Sequence, residues 1–380
     1  MKKKLLFVIT QFYKGGAEMA LLNLFQTLSP EQFEIDFLVL DQVELLNAES
    51  LLPQIPEWIT VCDAAKREGK FKIFIKVFFK FVKRVMKKEL YRFTAKKFVK
   101  GKKYDVAFSY GEWLSPEFIA VHVIADRKMI WIHTDIDKAD YIDEKVLFGF
   151  DKYYTKYIFV SEHSKNSAEK RFSLLKGKTV LVHNMCQEEK IRSEALEQVN
   201  LEEYTRPVLL TVANLREEKN YKRQLEVMWI LKKRKIEFTW LCIGSTANLF
   251  LYQQIKELIK KYHLEKECIF LGVQKNPYKF MARADAVMVL SDYESWSLVI
   301  TEAKIIGIPV IATPTSGAKE QLIDKETGWV IPSFEADDIA DGIEEYLKNP
   351  EKKEKIKENL KGFSNNLDIE EEFYRVLKER

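Results

Sequence analysis

The chain has 380 residues, of which 47% are hydrophobic. A chain of this length exceeds one ordinary core, so we expect two domains of similar size. Basic residues (61) and acidic residues (57) nearly balance, which argues against nucleic-acid binding by the molecule as a whole. Cysteines occur only at positions 62, 186, 242 and 268, without a C-x-x-C pair, so neither a zinc ribbon nor a redox dithiol is indicated.

The amino-terminal sequence MKKKLLFVIT has an apolar run only from Leu5 to Ile9, which predicts a buried first strand rather than a secretory signal. No segment approaches the ~18 apolar residues of a membrane span, and we expect a cytoplasmic protein. Gly15 and Gly16 then precede a helical pattern. A strand, a glycine turn and a helix allow the backbone to approach a diphosphate, although a simple tight turn is the alternative.

Apolar runs of strand length continue through the first half of the chain and alternate with helical periodicity. The predicted strands are Phe33 to Leu40, Ile59 to Cys62, Tyr104 to Ser109, Met129 to His133, Ile158 to Val160 and Val180 to His183. This alternation predicts parallel strands joined by crossover helices. Residues 187 to 206 are polar and charged, and they predict a linker between two α/β domains.

The segment from Lys66 to Lys103 is unusually basic, with sixteen Lys or Arg residues against Glu68 and Glu89, and with aromatic residues interleaved. A basic, aromatic-rich amphipathic helix is typical of proteins that bind an anionic membrane surface. A domain helix with a solvated basic face is the alternative. Nucleic acid fits less well because no base-reading motif accompanies the charge. We therefore expect peripheral attachment to the cytoplasmic face of a membrane.

The phrase IWIHTDID places His133 just past the end of an apolar strand. A histidine there can serve as a hydrogen-bond donor or proton carrier for a ligand, or it can be structural. Asp135 and Asp137 form a D-x-D triplet. Such triplets hold metals in some proteins but arise easily by chance, and we expect no metal here.

The phrase VLLTVANLREEKNYK opens the second domain. A strand from Pro207 to Ala213 delivers Asn214, Arg216 and Lys219 to its carboxyl end, where parallel sheets bind ligands. Two cations over a diphosphate would stabilise the charge of a leaving group. A solvated surface pair is the alternative.

Further predicted strands complete the second sheet. They are Phe238 to Ile243, Cys268 to Leu271, Asp285 to Leu290, Ile308 to Ala312 and Trp329 to Ile331.

If a helix begins near Ser297, Glu294 lies in the loop before it and Glu302 about a turn and a half inside it. The two carboxylates can then hold separate hydroxyls of one ligand, with an anion at the free N–H groups of the helix. The alternative is that Glu294 caps the helix and Glu302 is a solvated surface acid.

The stretch from Asp285 to Pro332 resembles the nucleotide-sugar-binding signature of family 4 glycosyltransferases, a retaining group with the GT-B fold. The matching positions are Glu294, Glu302, Ala303, Gly307, Pro309, Val310, Gly317 and Gly328. The resemblance covers essentially the whole chain and is strongest from 208 to 332. One departure is Ser295-Trp296-Ser297, where the family often has Gly-Phe-Gly.

The resemblance implies two Rossmann-like domains that face each other across a cleft. It implies an acceptor-side domain over 1–186, a linker over 187–206, a nucleotide-sugar-binding domain over 207–363 and a helix over 364–380 that returns to the first domain. The implied reaction moves a hexosyl group from a nucleotide-diphosphate sugar, such as a UDP-sugar, to a saccharide acceptor. The implied acceptor is lipid-linked, in surface polysaccharide assembly, and the transfer retains configuration without a metal or cofactor.

The resemblance also implies roles for individual residues. The implied catalytic residues are Lys219, Arg216, Glu294 and His133. The implied donor-binding residues are Gly15, Gly16, Asn214, Trp296, Ser297, Leu298 and Glu302. Lys219 and Arg216 would neutralise the diphosphate, Glu302 would hold ribose hydroxyls and Glu294 sugar hydroxyls. Asn214 stands where many members have a phosphate-binding arginine, and Arg216 is the candidate replacement.

Two other functions fit the same sequence features. A sugar-phosphate phosphorylase or a sugar-nucleotide epimerase can share this fold, and cleavage of a glycan by free phosphate would identify the phosphorylase. A non-catalytic partner of a membrane glycan assembly is the other alternative, because Asn214 and Ser297 depart from the family pattern. Hydrolysis or transfer of a nucleotide sugar would eliminate it.

Overall fold

Two compact units make up the chain in the computed structural model. The described residues are 2–42, 48–65, 93–139, 142–365 and 368–378. The first unit comprises Met1–Glu44, Ser50–Val182 and Glu370–Arg380, and the second comprises Leu45–Glu49 and His183–Ile369. The predicted pair of α/β domains is therefore confirmed.

A parallel sheet of seven strands forms the centre of the first unit. Its strands are β1 (Lys3–Ile9), β2 (Phe33–Val39), β3 (Thr60–Asp63), β4 (Lys103–Tyr110), β5 (Ile124–Ile132), β6 (Lys156–Phe159) and β7 (Thr179–Leu181). Their order across the sheet is β3-β2-β1-β4-β5-β6-β7. In register, Leu5 of β1 pairs with Ile35 of β2 on one side and Val106 of β4 on the other. The chain order reverses between β1 and β4, and ligands bind at such switch points in open α/β sheets.

Helices connect these strands as crossovers. The helices of the first unit's main segment are Gly16–Thr27, Glu117–His122, Glu144–Phe148 and Glu162–Arg171. Residues 93–99 are also helical. Because helices cover both faces of a parallel sheet, its central strands read as continuous apolar runs, and Leu5 to Ile9 are all fully buried.

The second unit repeats the same plan with six strands. These are β8 (Val208–Val212), β9 (Thr239–Ile243), β10 (Cys268–Gly272), β11 (Ala286–Val289), β12 (Val310–Ala312) and β13 (Trp329–Val330). All pairs are parallel, in the order β10-β9-β8-β11-β12-β13. The switch point lies between β8 and β11. This places the segments after these two strands, with Lys219 and Glu294, at one edge of the sheet.

The helices of the second unit include the one predicted near Ser297. They are Glu188–Ala195, Tyr221–Lys233, Leu249–Lys261, Tyr278–Met281, Leu298–Ile306, Ser316–Gln321, Ala336–Lys348 and Pro350–Leu360. On one face of the sheet the core includes the buried aromatic side chains of Trp240, Trp329 and Tyr346. The helix Leu298–Ile306 packs on the opposite core through Ile300, Ala303 and Ile305.

The C-terminal helix, Ile369–Lys378, belongs to the first unit from its second residue, Glu370, onwards. Phe373 is 0% exposed, and its ring centroid lies 6.4 Å from that of Phe7, 5.8 Å from Phe108 and 6.2 Å from Trp131. The Arg127 guanidinium donates a 2.7 Å hydrogen bond to the Leu377 carbonyl at the end of this helix. The predicted return of the last helix to the first domain is confirmed.

The segment predicted as a linker, 187 to 206, differs from that prediction. Residues Glu188–Ala195 form a helix, and Ile191, Ala195 and Leu201 are buried in the core of the second unit. Ile191 and Ala195 are four residues apart and so lie on one helix face. Because charged residues surround these two positions, the sequence pattern did not indicate this narrow apolar face. The segment 187 to 206 lies within the second unit, whose main part begins at His183 and ends at Ile369.

Most of the basic segment 66–103, and with it the predicted membrane-binding surface, lies outside the described residues. At its carboxyl end, Ala95 and Val99 are buried in the core of the first unit. Lys102 forms an ion pair of 2.7 Å with Asp36. No helix in the described ranges is long and apolar enough to span a membrane.

Candidate functional site

Lys219 and Glu294 meet at the carboxyl edge of the second sheet. Lys219 ends a short 3-10 turn, Glu217–Lys219, that follows β8, and Glu294 lies in the loop after β11. The Lys219 ammonium donates a hydrogen bond to Glu294 Oε1, and the Ser291 hydroxyl donates to the same oxygen at 3.0 Å. The two charged side chains are 23% and 13% exposed. Both contacts therefore use the same carboxylate oxygen, Oε1.

A second polar cluster holds the loops after β8 and β11 together. Asn220, whose φ is 41°, caps the helix Tyr221–Lys233 and donates from its amide to both Asp292 carboxylate oxygens at 3.0 and 3.1 Å. Arg223 also contacts Asp292 and donates to the Leu290 carbonyl at 2.7 Å. The Asp292 N–H donates to the Glu218 carbonyl at 2.8 Å. This cluster fixes Lys219 opposite Glu294.

Asn214 connects the loop after β8 to the loop after β9. Its Oδ1 accepts a 2.9 Å hydrogen bond from the Ser245 N–H, and the Leu215 N–H donates to the Ser245 carbonyl at 2.8 Å. The loops approach so closely that a Cβ on Gly244 would lie 2.0 Å from the Ala213 carbonyl oxygen. In this structure, therefore, Asn214 holds two loops together.

Arg216 has a more open position in the same loop. Its side chain is 57% exposed, and its guanidinium lies 4.0 Å from the Glu218 carboxylate. An exposed arginine with so loose an ion pair keeps most of its rotamer freedom. Arg216 can therefore rearrange towards an anion at this edge.

The loop from Trp296 to Leu298 is held by a glutamine that the sequence did not indicate. Gln321 accepts from the Ser297 N–H at 2.8 Å and donates to the Ser297 carbonyl and the Thr301 hydroxyl, both at 2.9 Å. Leu298 is buried, and Trp296 packs edge-on against His183, with ring centroids 4.5 Å apart. The start of the helix Leu298–Ile306 is thus fixed from both sides.

Glu302 lies on the same helix, half-buried. The Tyr278 hydroxyl donates a 3.0 Å hydrogen bond to Glu302 Oε1. Burial, reinforced by the Glu302 carboxylate, raises the pKa of Tyr278 well above its usual range. The N-cap position is Ser297 rather than Glu294. The alternative of a capping Glu294 and a solvated Glu302 is therefore wrong.

Gly317 allows a second helix to pack against the Glu294 loop. Its N–H donates to the Glu294 carbonyl at 2.7 Å, and the Ser316 hydroxyl donates to the same carbonyl at 3.0 Å. A Cβ at Gly317 would lie 2.8 Å from the carbonyl oxygens of both Glu294 and Ser295. Only glycine permits this close approach.

Gly15 and Gly16 lie at the carboxyl end of β1 in the first unit. Gly15 is the N-cap residue of the helix Gly16–Thr27 and has extended backbone angles (φ −151°, ψ 168°). No atom lies within 4 Å of a Cβ built on Gly16. The backbone angles do not require glycine at Gly15, and at Gly16 the position of a Cβ is open space.

His133 follows β5 at the same edge of the first unit. Its backbone N–H donates to Glu112 Oε2 at 2.9 Å. Its ring centroid lies 4.6 Å from that of Tyr110 and 6.1 Å from that of Trp131. His133 is thus part of an aromatic cluster on the first unit, whereas Lys219, Arg216, Glu294 and Glu302 belong to the second. Glu112 was not indicated by the sequence.

The D-x-D carboxylates contact neighbouring side chains. Asp135 is buried, 4.0 Å from His163 Nε2. Asp137 pairs with Arg171 at 3.0 Å and accepts from the Ser167 hydroxyl. Within the part of the chain that the structure describes, no group of three or more His, Cys, Asp or Glu residues is arranged to hold a metal ion.

Part of this chain matches a known protein family and known relatives in sequence. Residues 192–363 match the family described as glycosyl transferases group 1. The N-acetyl-alpha-D-glucosaminyl L-malate synthase of Bacillus anthracis is 29% identical over 38% of this chain and 37% of its own length. An N-acetylgalactosamine-N,N'-diacetylbacillosaminyl-diphospho-undecaprenol 4-alpha-N-acetylgalactosaminyltransferase of Campylobacter jejuni is 26% identical over 55% and 56%. The chain therefore spans roughly 37% to 56% of the length of these relatives.

Solved structures share the fold over the whole chain. Alr3699/HepE of Anabaena, in complex with UDP and glucose, has a TM-score of 0.74 at 16% identity and covers 98% of both chains. TarM of S. aureus has a TM-score of 0.73 at 14% identity, covering 99% of this chain and all of TarM (100%). The fold is that of the GT-B glycosyltransferases. The match of residues 192–363 to the group 1 glycosyl transferases agrees with the predicted resemblance to family 4.

Proposed function

We propose that the protein transfers a glycosyl group from a nucleotide-diphosphate sugar to a saccharide acceptor in glycan biosynthesis. The observation that carries this proposal is the pairing of Lys219 with Glu294 at the switch point between β8 and β11. This pair places a cation for a diphosphate beside an acceptor for sugar hydroxyls. Both residues lie in the segment that matches the family.

The Lys219 ammonium has three N–H donors and uses one for Glu294. It can therefore keep that contact while it donates to a phosphate oxygen. As the bond from the anomeric carbon to the diphosphate breaks, negative charge grows on the leaving group. A fixed cation stabilises that charge without having to reorganise. The exposed Arg216 supplies a second cation once it turns towards the diphosphate.

Glu302 is assigned to the ribose of the donor. The Tyr278 hydroxyl donates to its Oε1 and orients the carboxylate, which in this proposal accepts hydrogen bonds from ribose hydroxyls. Glu294 Oε2 is assigned in the same way to a hydroxyl of the transferred sugar. Two carboxylates held by neighbouring hydroxyl groups keep their orientation when the ligand arrives, which lowers the entropic cost of binding.

We propose that transfer retains the anomeric configuration. The acceptor oxygen attacks the anomeric carbon on the face that the diphosphate leaves, and a diphosphate oxygen takes the acceptor's proton. One carbon–oxygen bond forms and one breaks, so the atoms balance without a covalent enzyme intermediate. The proposal assigns the leaving-group charge to Lys219 and Arg216 rather than to a metal ion.

Two features of similar proteins support finer assignments. The Anabaena structure contains UDP, which favours a UDP-sugar donor. The Campylobacter relative is named for a diphospho-undecaprenol acceptor, which favours a lipid-linked saccharide. The sixteen basic residues between 66 and 103 support peripheral attachment at the cytoplasmic face of a membrane, where such a lipid is presented.

Thermal stabilisation by nucleotide sugars tests the proposal. A ligand at 100 times its Kd stabilises the folded protein by about 2.7 kcal/mol, which gives a clear rise in Tm. We expect a UDP-sugar to stabilise the wild type, and Lys219→Ala to reduce the effect. Transfer to a saccharide is then measured with that donor. If no nucleotide sugar binds, or if free phosphate cleaves a glycan instead, the proposal fails. Arg216→Ala separately tests the replacement arginine.

A further inference from the structure

Trp113 is a large aromatic side chain that the first unit leaves exposed at its ligand-binding edge. It lies three residues after the end of β4, and 39% of its surface is accessible. Its sheet reverses chain order between β1 and β4, so this loop borders the switch point. The exposed part of the indole is apolar surface that a ligand can cover.

The backbone at Gly111 leaves room for the indole of Trp113, because glycine has no Cβ. Gly111 has a φ of +110°, which favours glycine, and a Cβ there would lie 2.5 Å from two atoms of the Trp113 ring. On another side, the His133 ring centroid is 5.9 Å away with an interplanar angle of 36°. The indole is therefore held in place while part of it faces solvent.

The same loop is tied to the open glycine turn of the first unit. The Tyr110 hydroxyl donates a 3.0 Å hydrogen bond to the Ala17 carbonyl, one residue beyond Gly16. Burial, together with the Glu18 and Glu112 carboxylates, raises the pKa of Tyr110 well above its usual range. Two carboxylates thus lie near this edge.

The carboxylates indicate the chemical class of the ligand. A carboxylate accepts hydrogen bonds from hydroxyl groups, whereas it repels a phosphate. A pyranose presents hydroxyls around its rim and C–H groups on its faces, which pack well on an indole. A nucleotide also has a ring that can stack on the indole, but the carboxylates repel its phosphate groups. The surroundings of Trp113 therefore favour a neutral sugar.

We infer that Trp113 is the platform on which a pyranose ring of the saccharide acceptor packs, with Gly111 setting the position of the indole. This inference rests on the proposed function and adds a specificity-determining residue to it. The sugar's apolar face covers the exposed indole, and its hydroxyls face Glu112 and Glu18. Trp113 binds the acceptor and takes no part in the bond-forming step.

The test measures the binding of simple glycosides to the full chain by saturation-transfer NMR. The probes are methyl α-glucopyranoside, methyl α-galactopyranoside and methyl N-acetyl-α-glucosaminide, with uridine as a nucleoside probe. The variants are Trp113→Ala, Trp113→Phe and Gly111→Ala. The control is Tyr153→Ala, because Tyr153 is also exposed (43%) but precedes β6 and so lies at the opposite edge of the sheet.

We expect at least one glycoside to bind the wild type and to bind Trp113→Ala about fivefold more weakly, as loss of about 1 kcal/mol requires. Trp113→Phe should retain binding, because an aromatic face remains. Gly111→Ala should weaken it although Trp113 is present, because the new methyl group displaces the indole. Tyr153→Ala should leave it unchanged.

The inference is overturned if no glycoside binds the wild type or if Trp113→Ala binds the glycosides normally. It is also overturned if Trp113→Ala loses uridine rather than a glycoside. Stabilisation by UDP, measured on the same samples, separates it from the proposed function. Normal stabilisation with unchanged glycoside binding in Trp113→Ala defeats the inference alone. Absent stabilisation with glycoside binding lost in Trp113→Ala defeats the proposed function alone.

Discussion

Lys219 and Glu294 are 75 residues apart in the chain, yet the ammonium of one donates a hydrogen bond to the carboxylate of the other. The parallel sheet explains the meeting, because it brings the carboxyl ends of β8 and β11 side by side. In the proposed function, this pair supplies a cation to the diphosphate of the donor and a hydrogen-bond acceptor to its sugar hydroxyls.

Lys219→Ala should lower turnover by about two orders of magnitude, about 2.7 kcal/mol, which is the scale for one fixed donor to a developing charge. In the proposed mechanism the lost ammonium stabilises the leaving diphosphate, whereas Lys219 is not part of the hydrophobic core. The measurement is the rate of sugar transfer at saturating donor, with Tm recorded in parallel. Lys222→Ala, an exposed lysine on the helix Tyr221–Lys233, is the matched control and should remain active. Normal turnover in Lys219→Ala would exclude its proposed role.

Glu302→Gln and Glu294→Gln should have different kinetic effects. The first removes an acceptor for ribose hydroxyls and should raise the Kd of the nucleotide itself. The second loosens only the transferred sugar, so it should lower kcat while UDP binds normally. Calorimetric titration with UDP and steady-state kinetics separate the two. A loss of several degrees in Tm with normal binding and turnover in both variants would point to structural roles only.

Alkaline pH should destabilise the second unit partly through Tyr278. Burial and Glu302 raise its folded pKa, so above about pH 10 the unfolded chain loses a phenolic proton that the folded chain keeps. Stability linked to this group is therefore complete below that pH and falls by about 1.4 kcal/mol per pH unit above it. Urea unfolding between pH 9 and 11 should show a shallower decline in Tyr278→Phe. Identical slopes in the two proteins would contradict this linkage.

Gly317→Ala and Gly16→Ala should have different effects, because a methyl group at Gly317 meets other atoms and one at Gly16 does not. At Gly317 the new methyl group meets two carbonyl oxygens at 2.8 Å and must displace the Glu294 loop. Turnover should fall at least tenfold, since small misplacements of a catalytic group are expensive. At Gly16 the methyl group enters open space, so Tm should stay within a degree or two while UDP-sugar binding weakens. If Gly16→Ala binds the donor normally, the glycine turn lies outside the donor site.

Charge reversal in the basic segment should abolish membrane attachment. The six positions to be changed to Glu are Lys76, Lys80, Lys83, Arg84, Lys87 and Lys88. The wild type should sediment with anionic vesicles, weakly with neutral ones, and less as salt screens the attraction. The variant should remain in the supernatant while it still binds UDP. Salt-insensitive sedimentation, or none by the wild type, would favour a soluble acceptor.

Much of the fold could be predicted from local patterns. The apolar run from Leu5 to Ile9 became β1, and the helix expected near Ser297 begins at Leu298. Parallel topology then placed Lys219 and Glu294 at one edge without any knowledge of their contact. These predictions succeed because strand and helix periodicity are properties of short segments.

The supporting contacts could not be predicted in this way. Gln321 holds Ser297 from 24 positions away, and Tyr278 holds Glu302 across a similar interval. The sequence around a glutamine or tyrosine in a helix does not indicate which distant residue its side chain will contact. The predicted linker failed for a related reason. Ile191 and Ala195 provide too few apolar positions to stand out among charged neighbours, and only the surface that they cover explains them.

The burial of Phe373 among Phe7, Phe108 and Trp131 has a consequence for the order of assembly on the ribosome. The first unit, whose strand β1 is synthesised earliest, lacks these aromatic contacts until the helix Ile369–Lys378 has left the exit tunnel. The residues of the two core clusters of the second unit all precede this helix in the chain, so they have left the tunnel by then. Synthesis from the amino end therefore favours completion of the second unit before the first, the reverse of the order in which domains usually fold.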